Sequence, residues 1–354
     1  MNTARIQNAI DLAPYTSFKV GGPAEHFADI ASTDQLIDIL HNTDITPVWL
    51  IGYGSNTLIS DEGLPGLTLH ITGGDIQVQE HMIIADAGVW WDDVVQAAIA
   101  HNLWGIELMS EIPGSVGAAA YINIAAYGQS IGPRIEWVDV WDPRQSTVKR
   151  INRADLKWDY KRSQFQTESY ADVIILRVCI ALDHSRSDEL TYQKAVDVAD
   201  ELGLDTHSLA DRRKIITEAR HRAGSIWSAS NDKHARTVGS FFRNPVVTAE
   251  QRDAIIQHDE SRVSAEQIKR MNTTHGGNEQ RVSAAHVMLA AGFERGQTWG
   301  KVKLNDKNLL KIEALPGATA QEIYDVVQEI IRTCKERLNV TLIPEARILG
   351  TFGR

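Results

Sequence analysis

Between Glu111 and Gly128 the chain reads E-I-P-G-S-V-G-A-A-A-Y-I-N-I-A-A-Y-G. Gly114, Gly117 and Gly128 stand there among Ala118, Ala119, Ala120, Ala125 and Ala126. Such small side chains let backbone N–H groups come close to a partner, and glycine also reaches φ > 0. Two readings fit the stretch: a tightly packed turn and helix in a core, or a backbone cradle for a large planar or phosphorylated cofactor. A second glycine loop, Gly52-Tyr53-Gly54-Ser55-Asn56, lies between the apolar runs 47–51 and 57–59. It has neither the G-K-[ST] of a Walker loop nor the spacing G-x-G-x-x-G. It offers backbone N–H groups and the Ser55 and Asn56 side chains to a phosphate, or it is a plain turn. Ser240 follows Gly239 and precedes Phe241-Phe242; it is a hairpin serine or a functional hydroxyl, and a core strand has no need of it. Glu345 and Arg347 put a carboxylate and a guanidinium two residues apart on one strand. They form an exposed pair or, given the apolar flanks Ile343 and Ile348, a partly buried functional one.

The elements that must carry these groups alternate helix and strand signals. Residues 14–30 read as an extended segment, a Gly-Gly-Pro turn and a strand; Thr33-Asp34 cap a helix to Asn42. Residues 47–51 read as a buried strand, and 67–71, 76–79 and 82–85 as short strands of a meander. Trp90-Trp91 open an amphipathic helix to about Asn102, with Val94, Val95, Ala98 and Ile99 on one face. Residues 135–142 alternate and turn at Pro143-Arg144, and an apolar strand holds Cys179. From Asp183 the chain is helix-rich and charged. A helix over 215–222 ends at Gly224, 231–234 and 272–279 read as loops, and 320–338 is a helix with Ile323, Val326, Val327, Ile330, Ile331, Cys334 and Leu338 on one face. Residues 340–350 read as a closing strand.

A length of 354 residues predicts two or three domains, and 43% hydrophobic with 23% charged residues is a globular composition. A net charge of −10 argues against a nucleic-acid surface. The two cysteines, Cys179 and Cys334, fit no metal spacing and read as buried core thiols. The twelve histidines show no ligand spacing, His275 included, so no metal is expected. No signal-peptide region opens the chain and no apolar run approaches the roughly 18 residues of a membrane span, so a cytoplasmic protein is expected.

Four motifs stand in fixed order: P-Y-T-S-F-K-V-G-G-P-A, I-G-Y-G-S-N-T-L-I-S-D, I-P-G-S-V-G-A-A-A-Y-I-N-I-A-A-Y-G and G-S-F-F-R-N-P, with I-P-E-A-R-I-L-G closing the chain. Together they resemble the UDP-N-acetylenolpyruvoylglucosamine reductase family, also called UDP-N-acetylmuramate dehydrogenase, over about residues 12–350. The likeness is weakest over 186–237 and 246–312. It implies an α+β fold. An FAD-binding domain of the vanillyl-alcohol-oxidase type would span 1–185, in lobes of about 12–70 and 71–185. A substrate domain would span 186–354, its residues 340–354 packing back toward the first lobe.

The likeness further implies noncovalent FAD held by Gly52, Tyr53, Gly54, Ser55, Asn56, Pro113, Gly114, Ser115, Gly117, Asn123, Tyr127 and Gly128. Backbone N–H groups, those of Val116 and Gly117 among them, would cradle the pyrophosphate. NADPH is the implied hydride donor and UDP-N-acetylglucosamine enolpyruvate the substrate. Ser240 becomes the proton donor, Glu345 a group at the reacting carbon, and Lys161 the cation beside it. Tyr160, Tyr192, Arg222, Asn244 and Arg347 become substrate contacts, with Leu190-Thr191-Tyr192 resembling the tyrosine loop of the longer subtype; Tyr192 also reads as an ordinary helix-start aromatic.

The chain departs from the pattern at three places. Tyr-Arg-x-Ser-x-Phe appears as Tyr160-Lys161-Arg162-Ser163-Gln164-Phe165, so lysine stands in the arginine's position and loses the bidentate fork. Ser225 stands where a lysine is expected, and Ala125 where a glycine is. These departures leave two rivals to the reductase: an oxidoreductase of the same FAD fold with another substrate, and a catalytically weakened FAD or UDP-sugar binding protein. Covalent-flavin members carry a histidine by the first phosphate loop, which this chain lacks. Retention of both Ser240 and Glu345 speaks against the binding protein. A monomer is expected, since no heptad or exposed apolar stripe is evident.

Overall fold

The structure, a computed structural model, describes residues 4–170, 172–185, 188–224, 236–258 and 281–353. The expected loops 231–234 and 272–279, His275 and Ser225 lie outside them. The chain forms two compact units. The first holds residues 1–8, 26–53 and 66–228; the second holds 9–25, 54–65 and 229–354.

In the first unit a five-stranded antiparallel sheet runs in the order Thr147–Asn152, Ile135–Asp142, Ile174–Ala181, Met82–Asp86, Ile76–Gln79. The predicted turn at Pro143-Arg144 closes its first hairpin, and Cys179 lies fully buried in the central strand. Burial pushes the Cys179 thiol up to about 11, so it is an inert core thiol. Helices α1 (Thr33–Asn42), α2 (Trp91–Ala100) and α3 (Val116–Ile122) belong to this unit. Val94, Val95 and Ala98 of α2 and Val116, Ala119 and Ala120 of α3 pack with Ile83, Ala85, Val138 and Val178 of the sheet. Two more helices, α4 (Gln193–Leu202) and α5 (Leu209–Arg222), pack through Val198, Ile215, Ile216 and Ala219 against Leu108 and Leu190.

Four local expectations change. Ser32, not Thr33-Asp34, caps α1: it is extended and its hydroxyl accepts the Gln35 N–H, whereas Thr33 is already helical. Val48–Ile51 is half-buried rather than buried, because it is the outer strand in the order Gln7–Asp11, Pro23–Ile30, Leu64–Ile71, Val48–Ile51. Leu64–Ile71 does not continue into a meander; Gly73 and Gly74, at φ 83° and 123°, redirect the chain into the other sheet. The closing strand shrinks to Arg347–Leu349, paired in parallel with Thr57–Ile59. Pro344 has no N–H, and the Glu345 N–H turns instead to the Phe241 carbonyl at 2.7 Å.

The second unit is built on α6 (Ala249–Gln257), α7 (Ala284–Ala290) and α8 (Ala320–Leu338). The predicted apolar face of α8 is buried with Phe18, Leu58, Phe241 and Phe242. Its first turn is closed by a Thr319–Glu322 capping box, and the Asp61 carboxylate accepts the N–H groups of Ala320 and Gln321 at 2.9 and 2.8 Å.

Candidate active site

In the first unit the two glycine stretches meet. A Cβ on Gly52 would lie 3.1 Å from Ser115 Oγ. Trp91 N–H donates to the Gly114 carbonyl, Val116 N–H to Val89 and Gly117 N–H to Ala87, each at 2.9 Å. The Val116 and Gly117 N–H groups are therefore taken by the turn between the strand Met82–Asp86 and α2, which corrects their place in the expected cradle. Ser115 caps α3 through Ala118 N–H at 3.2 Å. The N–H groups of Gly114 and Ser115 have no acceptor among the described residues. Gly117 has a packing reason to be glycine, since a Cβ there would sit 2.9 Å from the Ala87 Cβ. The stretch is thus both packed turn and candidate cradle, split between Gly117 on one side and Gly114-Ser115 on the other. Tyr53 edges onto Trp90 at 4.6 Å between centroids and donates its hydroxyl to the Gly88 carbonyl at 3.3 Å.

Asn123, Tyr127 and Gly128 follow α3 and all have positive φ. The Asn123 amide is committed within the protein, to the Asp159 carbonyl and the Gly132 N–H. Tyr127 meets Tyr192 edge-to-face at 5.0 Å. Burial raises both phenols, although Arg220 pulls Tyr127 the other way, so both stay neutral hydrogen-bond donors. Tyr192 is still 42% exposed, which leaves its ring a free face. Tyr160 and half-buried Lys161 form the tip of a hairpin in which Trp158 pairs with Ser163 and Asp159 with exposed Arg162.

Helix α5 braces the loop ahead of the glycine stretch. Arg213 makes a bidentate pair with Asp92 at 2.7 Å for both bonds and reaches Glu111 at 2.9 Å. Burial works to raise Asp92, but these bonds outweigh it and hold the carboxyl below its usual range. Arg220 donates to the Glu111 carbonyl at 3.0 Å. Arg222, by contrast, pairs with Glu201 and Glu218 at 2.5 and 2.8 Å. Sequence reasoning missed Arg220. Helical spacing contained the signal: Arg212, Ile216 and Arg220 recur every four residues on the buried face, while Arg222 shares its face with Glu218.

The second unit gathers the other candidates. Ser240 stands opposite Lys311 in an antiparallel bridge, and Phe242 opposite Pro344. Residues opposite each other in such a pair project to one face. Lys311 is only 2% exposed, while its neighbours Ile312 and Ala314 point into the apolar cluster. The lysine therefore brings a cation to the serine's face, and nothing in the motif marked it. Glu345 is half-buried, held by its N–H on Phe241 and by Asn56, whose Nδ2 donates to the Glu345 carbonyl at 3.2 Å. Arg347 N–H donates to the Asn56 carbonyl at 2.9 Å. The expected apolar flank is not the cause of that burial, since Ile343 is 60% exposed. Asn244 Oδ1 accepts the Ala284 N–H at 3.0 Å, at the start of α7. Gly54, at φ 60°, touches the turn before it so closely that a Cβ would lie 1.9 Å from the Tyr15 carbonyl oxygen. That contact explains why P-Y-T-S-F accompanies the glycine loop. Ser55 is half-buried beside it.

Unit 1 therefore assembles Gly52, Tyr53, Pro113, Gly114, Ser115, Tyr127 and Tyr192, and unit 2 assembles Asn56, Ser240, Asn244, Glu345 and Arg347. Among the described residues no group of histidine, cysteine, aspartate or glutamate could hold a metal, and no helix is long and apolar enough to cross a membrane.

Comparison with known proteins gives two family matches. Residues 24–152 match an FAD binding domain, and residues 231–349 match the C-terminal domain of UDP-N-acetylenolpyruvoylglucosamine reductase. The reductase of Thermobifida fusca (strain YX) is 29% identical over 361 residues, covering 99% of each chain. That of Streptomyces coelicolor is 29% identical over 343 residues, covering 96% of this chain and 89% of its own. The crystal structure of the reductase from Thermus caldophilus superposes with a TM-score of 0.66 at 21% identity, covering 98% of this chain and 100% of that one. That likeness carries the fold.

Proposed function

This chain belongs to the UDP-N-acetylenolpyruvoylglucosamine reductase family, and on that premise we propose how its residues divide the work. The reaction is NADPH-dependent reduction of UDP-N-acetylglucosamine enolpyruvate to UDP-N-acetylmuramate, in peptidoglycan precursor synthesis. FAD supplies the two-electron relay between NADPH and the alkene. The residues present fit it: Gly52, whose missing Cβ leaves room beside the Ser115 hydroxyl, adjoins Gly114 and Ser115 in one unit, and the N–H groups of those two have no acceptor among the described residues.

A hydride reaches the terminal alkene carbon, and the electron pair of the double bond moves onto the neighbouring carbon and its carboxylate. NADPH ends as NADP+. Ser240 gives the second carbon its proton, Glu345 lies at the reacting group, and Lys161 faces the enolate-like charge. Tyr160, Asn244 and Arg347 bind the substrate. At the nucleotide end we place Tyr192 with Arg220 beside Tyr127. Arg222 would first have to leave Glu201 and Glu218, so the buried arginine is the better candidate. The enzyme acts as a monomer in the cytoplasm, where nucleotide sugars and NADPH are available, and so serves cell-wall growth, cell shape and division. The observation that carries the role assignments is the 2.7 Å bond from Glu345 N–H to Phe241, which sets the carboxylate-bearing backbone beside the serine-bearing one.

Purified protein should carry a flavin spectrum. NADPH should bleach it, and UDP-N-acetylglucosamine enolpyruvate should restore it. Bleaching without recovery would point to another substrate, and no bleaching to a binding protein. Lys161→Ala should lower turnover more than Arg162→Ala, because Lys161 is half-buried at the hairpin tip and Arg162 is exposed. The reverse order in steady-state rates would move the charge to Arg162.

A further inference from the structure

Asn123 ends α3 in the left-handed conformation, at φ 52° and ψ 67°. Its side chain points back into the protein and spends both ends there. Nδ2 donates to the Asp159 carbonyl at 2.8 Å, and Oδ1 accepts the Gly132 N–H at 2.9 Å. Gly132 is tied to this arrangement, since a Cβ on it would lie 2.6 Å from Trp158 Cγ and 2.8 Å from Asn123 Oδ1. Two residues earlier, in the last turn of α3, the Tyr121 carbonyl accepts the Ser163 hydroxyl at 2.5 Å. Asp159 and Ser163 lie on opposite strands of the short hairpin whose tip is Tyr160-Lys161. Both strands are thus pinned to the last turn of α3, one by each bond.

The pins matter because the tip is not self-supporting. The hairpin has two residue pairs, Trp158 with Ser163 and Asp159 with Arg162. A ladder that short is marginal alone. Lys161 also sits at φ 52°, a region that a side chain of its kind avoids. Surrounding bonds must therefore hold the lysine in place. We propose that Asn123 and Ser163 are positioning residues for the reaction, acting through Lys161 rather than on the cofactor. This rests on the role given to Lys161 above.

The test is a double-mutant cycle on the full-length flavoprotein. Asn123→Ala and Ser163→Ala are each made alone and in a Lys161→Ala background. Three quantities are read: bound FAD per chain, the rate of flavin reoxidation by substrate, and the dissociation constants of UDP-N-acetylmuramate and of UDP-N-acetylglucosamine, which lacks the carboxylate. Each single variant should keep its FAD, bind UDP-N-acetylglucosamine normally, and lose about 10-fold in reoxidation and in UDP-N-acetylmuramate affinity. In the Lys161→Ala background the same changes should cost less than about 2-fold, because the interaction is already gone. Equal losses in both backgrounds, equal weakening of both nucleotides, or loss of FAD would overturn the proposal. Should Asn123→Ala not fold, Ser163→Ala, which removes one hydroxyl, decides alone. A Lys161→Ala variant with wild-type reoxidation would sink the lysine's role and the proposal with it. Slow Lys161→Ala beside normal Ser163→Ala and Asn123→Ala would sink the proposal alone.

Discussion

Ser240→Ala should leave reduction of the bound flavin by NADPH at its wild-type rate and slow reoxidation by the enolpyruvyl substrate by about 10²-fold or more. The two halves separate because a proton donor acts only once charge has developed on the substrate. The serine is well placed for such selectivity. It makes an isolated bridge to Lys311, and the next two residues, Phe241 and Phe242, are buried in the core of the second unit, so its backbone is held while its hydroxyl is spare. Among the described residues that hydroxyl makes no hydrogen bond. Lys311 across the bridge supplies positive charge on the same face, and the Glu345 backbone is bonded to the next residue. Stopped-flow absorbance of the flavin reads both halves. Equal slowing of the two would remove Ser240 from its role.

Arg212→Met should destabilise the protein by roughly 3–5 kcal/mol, the cost of breaking a buried ion pair from one side. Arg212 and Glu107 are both fully buried and lie 2.6 Å apart. The guanidinium also donates to the Thr206 and Asp188 carbonyls at 2.7 and 2.8 Å, and Glu107 accepts the Gly105 N–H and the Gln129 amide at 2.8 and 3.1 Å. Methionine fills the volume but leaves a buried carboxylate without countercharge and two carbonyls without donors. Adding Glu107→Gln should recover part of the loss, since a neutral amide tolerates that site better. Urea melts of wild type, single and double variants check this. A single variant within about 1 kcal/mol of wild type would show that the network does not hold the two helices to the loop that leads into the glycine stretch.

Much of the element layout was legible in the sequence. Apolar periodicity marked α8 and α2, alternation marked Ile135–Asp142, and the ordered glycine motifs marked the two loops that adjoin at Gly52 and Ser115. These signals are local: a helix face, a pleat or a close backbone approach constrains residues within a few positions of one another. What the sequence by itself determined is therefore the set of elements and the residue types offered to a ligand. Only the tertiary structure decided which polar groups were still available. Asn123 and the Gly117 N–H look ready for a cofactor in the sequence, yet Asp159, Gly132 and Ala87 already occupy them. Arg220 and Arg222 look interchangeable, yet one is buried beneath the Glu111 carbonyl and the other is paired outside. A hydrogen bond to a partner 36 or 109 residues away leaves no periodic trace, because chain folding and not spacing brings the two groups together.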